Sequence, residues 1–471
     1  MLACFCLYCL AESPRSDLPL LELDRSAIER ILNGFNPQGE QLVELQRQLE
    51  ALDSSEFLVR DRAMKDLLLR PVIPPDLMDE ISKAGSTEVR LAVRRLRASH
   101  SPERIDLLLR SVYTAIDWRS IEGLCSEVLK TLPFAVHSST RRLGEKAIAS
   151  TAQKSDAAKL RTALSAKSPV IRRTAATVLA DVVGEKAGDD LLPLTKDTDA
   201  NVRLDAAIAL GNVGRRESLG PLVKLLQHDV FAIRWKASEA LVALTGQSHE
   251  YNPAAAIRTR KEAIERWRLW LQKNQDSASL TTPIVVPAEI VLFNGSDLTG
   301  WTAYREGKID ASDVWMVSGG NLNTIPKKSG DLRTNAAFED YRLTLEFRMP
   351  SAAGDSGVGV CLQDANARRP VYLEVQLHPN NCGDLYVING LQAWAAGQPV
   401  GFRAVKWKQS NERYQQWNKM EVIVAGGTAR VAINGEMQNQ ADKLPAGASH
   451  VLLRNEGSKV EFREIILEPL E

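Results

Sequence analysis

The sequence predicts a multidomain protein, an all-α solenoid followed by an all-β sandwich. Three observations predict it. Between residues 171 and 241, a set of aliphatic, arginine, alanine and leucine positions returns every 31 residues. Beyond Ile290 the hydrophobic period changes from helical to strand-like. The second half is also cut by glycine turns into many short alternating runs, the mark of a sandwich rather than an α/β fold. At 471 residues the chain is too long for one ordinary core.

Composition narrows the function classes. Hydrophobic residues make up 44% and charged residues 25%, the balance of a soluble globular protein. Lys plus Arg and Asp plus Glu both number 59. A zero formal charge argues against a general nucleic-acid binder and a membrane-surface protein.

Residues 1–19 form a leading segment. Met1 to Ala11 is apolar, carries Cys4, Cys6 and Cys9, and is too short to span a bilayer. It resembles the apolar core of a secretory signal without its basic leader, with Ala11 as a cleavage edge. The expectation is a secreted or periplasmic protein with no transmembrane segment. Only Cys125, Cys361 and Cys382 follow. An odd number makes no disulfide framework, so Cys361 and Cys382 read as buried free thiols.

Residues 20–272 read as helical. Leu42, Leu45, Leu49 and Leu52 recur at helical spacing. Ile171-Arg172, Val202-Arg203 and Ile233-Arg234 open three copies of one unit. Ala175, Ala206 and Ala237 stand four residues on, and Leu179, Leu210 and Leu241 four beyond those. Val59-Arg60, Val89-Arg90 and Thr140-Arg141 are weaker copies. A fixed period near thirty with small residues at helix crossings means stacked helix pairs. Asp199 and Asp229 are placed to cap helices, and the three arginines to brace neighbouring repeats. The run Asp199 to Leu210 resembles HEAT-type repeats. Trp267 and Trp270 read as core of a capping helix. Residues 273–289, polar and proline-punctuated, read as an extended linker.

Residues 290–471 read as strands. Tyr341 to Arg348 alternates cleanly. Trp417 to Val424 and Thr428 to Asn434 are split by Gly426-Gly427, Asn434-Gly435 is a turn signal, and Val460 to Leu467 closes the chain. Trp301 and Trp315 read as core. The informative stretch is Tyr372 to His378. Leu373, Val375 and Leu377 point to a core, and Tyr372, Glu374, Gln376 and His378 point away. That outward set can grip sugar hydroxyls or move protons. On the preceding strand, Gly357, Gly359, Cys361 and Gln363 are expected to share one face, leaving room for a ligand to approach the backbone. His378 reads as a surface histidine near a turn.

The C-terminal half resembles the 3-keto-disaccharide hydrolase domain family. The resemblance rests on Leu292 to Trp301 (Leu-Phe-Asn-Gly-Ser-Asp-Leu-Thr-Gly-Trp), Trp315-Met316-Val317, Asp340 to Leu343 and Ser356-Gly357-Val358. It continues through Tyr372 to Gln376, Gly383 to Tyr386, Trp417-Asn418, Asn434-Gly435 and Val460 to Ile465. It implies a concanavalin A-like jelly roll with a ligand groove on one sheet. It also implies cleavage of 3-keto-glycosides. The C3 ketone acidifies the C2 proton, a base removes it, the C1 oxygen leaves and water adds back.

Such chemistry needs a base, a cation or donors for the enolate, and an acid for the leaving oxygen. Glu374, Glu456 and Arg454 are the catalytic candidates. Tyr372, Gln376, Gln363, Asn455 and Trp394 are the substrate-binding candidates, Trp394 by ring stacking from the Gly390 to Asn411 insertion, which also carries Trp407.

Two departures from the family pattern stand out. The family's Ser-Gly-Ile-Phe-x-Arg becomes Ser356 to Gln363 without the arginine, and its Gln-Asp-His-Gly becomes Arg454-Asn455-Glu456-Gly457. They leave open a direct hydrolase using Glu374 and Glu456, or a non-catalytic carbohydrate-binding module. No cofactor is established. A divalent metal at Asp355 with Glu374 or Asp364 stays open. The expected partners are an oligosaccharide or 3-keto-glycoside and a protein docked on the solenoid.

Overall fold

A computed structural model describes residues 23–470, apart from residues 36, 38, 256, 351–353 and 410. The leading segment, with Cys4, Cys6, Cys9 and Ala11, lies outside the described residues. The chain divides into two compact units, Met1–Pro221 and Leu222–Glu471. No helix among the described residues is long and apolar enough to cross a membrane.

The first unit is helical. Its repeat register follows the sequence pattern: Ala175, Ala206, Leu179 and Leu210 are fully buried. Asp199 caps the helix Ala200–Asn212 by accepting from the Asn201 and Val202 amides. The repeat arginines have a more local role than expected. Arg172 donates to the Ala166 and Lys167 carbonyls at 2.9 and 3.0 Å. Arg203 does the same to Asp197 and Thr198 at 2.8 and 3.0 Å, and Arg60 to Ser54 and Ser55 at 2.7 and 3.0 Å. Each arginine therefore satisfies the carbonyls of the turn that leads into its own helix. Arg172 also reaches Asp197 of the next repeat at 2.7 Å, a bond between repeats.

The second unit begins with the last repeat, and here one expectation fails. The helix Phe231–Thr245 has Val230 at its N-cap, and no side chain caps it. Asp229 instead offers its backbone carbonyl to Arg234 at 2.6 Å. The closing helix Ile257–Asn274 buries Ile264 and Trp267, as its pattern predicts, but leaves Trp270 half-buried, edge-on to the Trp267 ring. Residues 275–289 then run almost without regular structure.

Strands follow. They are β1 (Ile290–Val291), β2 (Trp301–Tyr304), β3 (Lys308–Ile309), β4 (Trp315–Ser318), β5 (Asn321–Thr324), β6 (Ser329–Thr334), β7 (Tyr341–Arg348), β8 (Ser356–Leu362) and β9 (Tyr372–Leu377). After them come β10 (Leu385–Ile388), β11 (Trp394–Ala395), β12 (Gln398–Pro399), β13 (Arg403–Ala404), β14 (Asn418–Ala425), β15 (Thr428–Ile433), β16 (Glu436–Ala441), β17 (His450–Glu456) and β18 (Glu461–Pro469). One sheet runs β16-β15-β14-β7-β18-β5-β4, with β1 on β18. The other runs β13-β10-β9-β8-β17-β6-β2-β3. All their pairings are antiparallel, and the inward faces enclose one core containing Trp315, Phe347, Leu373, Val375 and Phe462. The hairpins at Gly426-Gly427 and Asn434-Gly435 turn through residues with positive φ, as two-residue turns between twisted strands require.

The sandwich core extends into the last repeat. Phe231 and Trp235 belong to it. Phe231 packs edge-on against Phe338, centroids 5.6 Å apart. Arg234, 4% exposed, donates to the Pro253 carbonyl at 2.7 Å and faces Glu339. The boundary set by composition, near residue 272, thus differs from the boundary set by packing. Truncating Phe231 to Ala is expected to destabilise the second unit by about 3–5 kcal/mol, because the aromatic leaves a cavity between helix and sheet. Denaturant unfolding of the full chain, followed by tryptophan fluorescence, measures it.

Candidate active site

The outer face of the second sheet carries the site. On β9, Leu373, Val375 and Leu377 enter the core, and Tyr372, Glu374 and Gln376 project outward, following the period-two pattern. On β17, Arg454 and Glu456 project outward. Between these strands lies β8, which presents Gly357 and Gly359. In register, Gly359 opposes Glu374 on one side and Leu452 on the other.

This arrangement lets two side chains meet across an intervening strand. Arg454 Nη1 donates to both carboxylate oxygens of Glu374, at 2.8 and 2.6 Å. A Cβ on Gly357 would collide with Glu374 Oε1, and one on Gly359 would sit 2.8 Å from the Tyr372 ring. The glycines are therefore the floor over which the ion pair forms. Arg454 Nη2 also holds Glu456 at 2.8 Å, and Asp331, opposite it on β6, lies 3.9 Å from Nε. One guanidinium stands among three carboxylates.

Burial sets the electrostatics. Glu374 is 2% exposed, and burial lifts its carboxyl to about 7 against the pull of Arg454. Burial also raises Glu456 and Asp331, again opposed by Arg454. Burial works against the charge of Arg454, but Glu374, Tyr372, Glu456 and Asp331 together hold it above its usual range. Tyr372 is raised by burial.

The structure brings Glu374, Arg454, Glu456 and Tyr372 together. Gln376 joins at the margin, donating to Asp355 Oδ1 at 3.0 Å. Asp355 in turn hydrogen-bonds Glu456. Asp331 is the member that motif reasoning did not place at the site; Asp355 was singled out only as a metal ligand with Glu374 or Asp364, and here it pairs with Gln376 instead. Asp331 could have been found from its register with Arg454, which is visible only once the strands are paired.

Three expected residues lie elsewhere. Gln363 was placed by strict alternation along β8, but Cys361 has φ +60° and the pairing with β17 slips between His450 and Leu452. This bulge inserts one residue, so Cys361 turns into the core and Leu362 turns outward against Tyr372 and Leu452. Gln363 falls beyond the strand end, exposed. Asn455 points inward, is 2% exposed, and donates to the Val314 and Ile325 carbonyls at 2.7 and 3.2 Å, so its role is structural. Trp394 sits in the β11–β12 hairpin, bridged through its backbone to Asp442, with the Lys443 ammonium 4.3 Å from its ring centroid.

His378 is half-buried near its turn, with Nδ1 2.9 Å from the Pro379 carbonyl. Among the described residues, no group of three or more His, Cys, Asp or Glu side chains is arranged to hold a metal ion. The centre of the carboxylate group is filled by the Arg454 guanidinium. Cys361 and Cys382 are free and buried.

Residues 288–468 match the profile of the 3-keto-alpha-glucoside-1,2-lyase-like domain. The C-terminal sandwich is a domain of this type. Residues 188–257 match HEAT repeats, so the repeat register continues from the first compact unit into the second. No curated protein matches the chain. Solved structures similar to it include a glycosyl hydrolase candidate from Parabacteroides distasonis, 18% identical, covering 39% of this chain and 95% of its own at a TM-score of 0.30. The carbohydrate binding module CBM66 from Bacillus subtilis is 10% identical, covering 36% and 95% at 0.28. The Bacillus licheniformis beta-glucanase is 9% identical, covering 40% and 100% at 0.29.

Two outcomes follow from the site geometry. Gly357→Ala is expected to cost about 1–3 kcal/mol by forcing Glu374 off Arg454, read from denaturant unfolding. The raised carboxyl of Glu374 binds its proton more tightly in the folded protein than in the unfolded chain. Its contribution to stability is therefore fully present below the unfolded value of 4.5 and is lost as pH rises through about 7. Glu374→Gln should flatten that part of the stability–pH curve, measured by denaturation across pH 4 to 8.

Proposed function

We propose that the sandwich cleaves 3-keto-glycosides on the outer face of its second sheet, with Arg454 and Glu456 touching the substrate. The observation that carries this reading is one guanidinium set between a buried carboxylate and a partly exposed one. Glu374 is too enclosed to meet a sugar, so it acts as a positioning residue that fixes and charges Arg454. Arg454 and Glu456, each with about a quarter of the side chain exposed, present the reactive edge.

In the proposed reaction, Glu456 takes the C2 proton of the 3-keto sugar. The C–H electron pair becomes the enolate, whose oxygen at C3 is stabilised by Arg454. As the C3 carbonyl re-forms, the C1–C2 double bond forms and the C1–O bond breaks. Glu456 returns its proton to the departing oxygen, so proton and charge balance within one residue. Its raised pKa, set by burial and by the neighbouring Asp355 and Asp331 carboxylates against the pull of Arg454, suits a group that must both accept and donate a proton. Water then adds across the C1–C2 double bond, its oxygen to C1 and a proton to C2. The helical repeats are proposed to dock a protein partner.

The second reading is a binding module, favoured by how completely Arg454 is paired inside the cluster. The full chain incubated with 3-keto-trehalose separates the two. The first reading expects glucose release, a loss of about 10²–10⁴-fold in kcat for Glu456→Gln with binding kept, and a rate that rises with pH as Glu456 ionises. Binding by the wild type without release, unchanged in Glu456→Gln, establishes the module instead.

A further inference from the structure

The outer face does not end at the carboxylates. On β10, Tyr386 stands directly opposite Glu374, so its ring shares the face. The next and last strand, β13, pairs Arg403 with Tyr386. Its neighbour Phe402 leans edge-on against the Tyr386 ring, centroids 5.2 Å apart at 87°. Phe402 is 66% exposed, a large aromatic surface left to solvent at the edge of a sheet. Arg403 Nη2 donates to Asn381 Oδ1 at 3.1 Å and also reaches buried Asp384, so the guanidinium is anchored beside the pair, 5.7 Å from the Tyr386 centroid.

This pattern is specific in kind. Exposed aromatic carbon alone would fit many apolar partners. Here it adjoins a carboxylate and guanidinium cluster one strand away, and the Gln376 amide lies on the same face. An apolar ring surface beside fixed polar groups suits a ligand with one apolar face and a hydroxylated rim, which is a pyranose. Adjacent strands lie about 4.8 Å apart, so the aromatic pair is offset from Glu374 by one to two strand spacings.

We infer that Tyr386 and Phe402 form a stacking subsite for the second sugar ring of a disaccharide whose first ring lies over Arg454 and Glu456. The inference rests on the proposed function for the position of the first ring. Neither Trp394 nor the Gln363 loop supplies this surface.

The test compares 3-keto-trehalose with methyl 3-keto-glucoside on the full chain. Binding is read by calorimetry and turnover by sugar release. Phe402→Ala is expected to weaken binding of the disaccharide about tenfold, with kcat little changed and the methyl glycoside unaffected. Phe402→Trp is expected to restore the disaccharide. Equal effects on both ligands, no effect on either, or no binding of either ligand by the wild type would overturn the subsite. Selective loss of disaccharide binding in a wild type that shows no turnover would keep the subsite and reject the proposed chemistry.

Discussion

The ion pair between Arg454 and Glu374 is the interaction on which the candidate site depends. It joins two strands that are not neighbours, and it exists because β8 presents no side chain between them. Gly357 and Gly359 weaken β8 as a strand, since glycine loses more freedom on folding than any other residue. That cost is offset by a contact that draws Glu456, Asp331 and Tyr372 into the same few ångströms. Burial produced by this crowding raises the carboxyls, and the acidic groups around Arg454 hold its guanidinium above the usual range against that same burial.

The same constraint separates the roles of the two glutamates. A carboxylate that is nearly sealed and gripped by one nitrogen orients its partner. A carboxylate on the open side of that partner is available to a substrate. Position along β9 made Glu374 the conspicuous residue, but solvent access leaves Glu456, and not Glu374, on the open edge of the cluster.

Much of the fold was legible in the sequence because its signals are periodic. The 31-residue return of Ile171, Val202 and Ile233 and the alternation of β7 and β9 survive any detail of packing. The candidate site was legible where alternation held, at Tyr372, Glu374 and Gln376. It failed where one inserted residue reversed the parity of β8 at Cys361 and carried Gln363 off the face. It failed again at Asn455, because β17 places its neighbours Arg454 and Glu456 outward and so sends Asn455 to the core. Asp331 was invisible because its importance lies in a cross-strand pairing with a residue more than a hundred positions away.

Polar and apolar features along the helical half have an architectural reading too. In the repeats, an arginine closes the corner that precedes its own helix. Most of the polar requirement of that corner is met from within the unit. A module that closes its own corner can be duplicated or deleted as a block, and an array built this way changes length in whole steps, with only pairs such as Arg172 and Asp197 to be matched at the new junction.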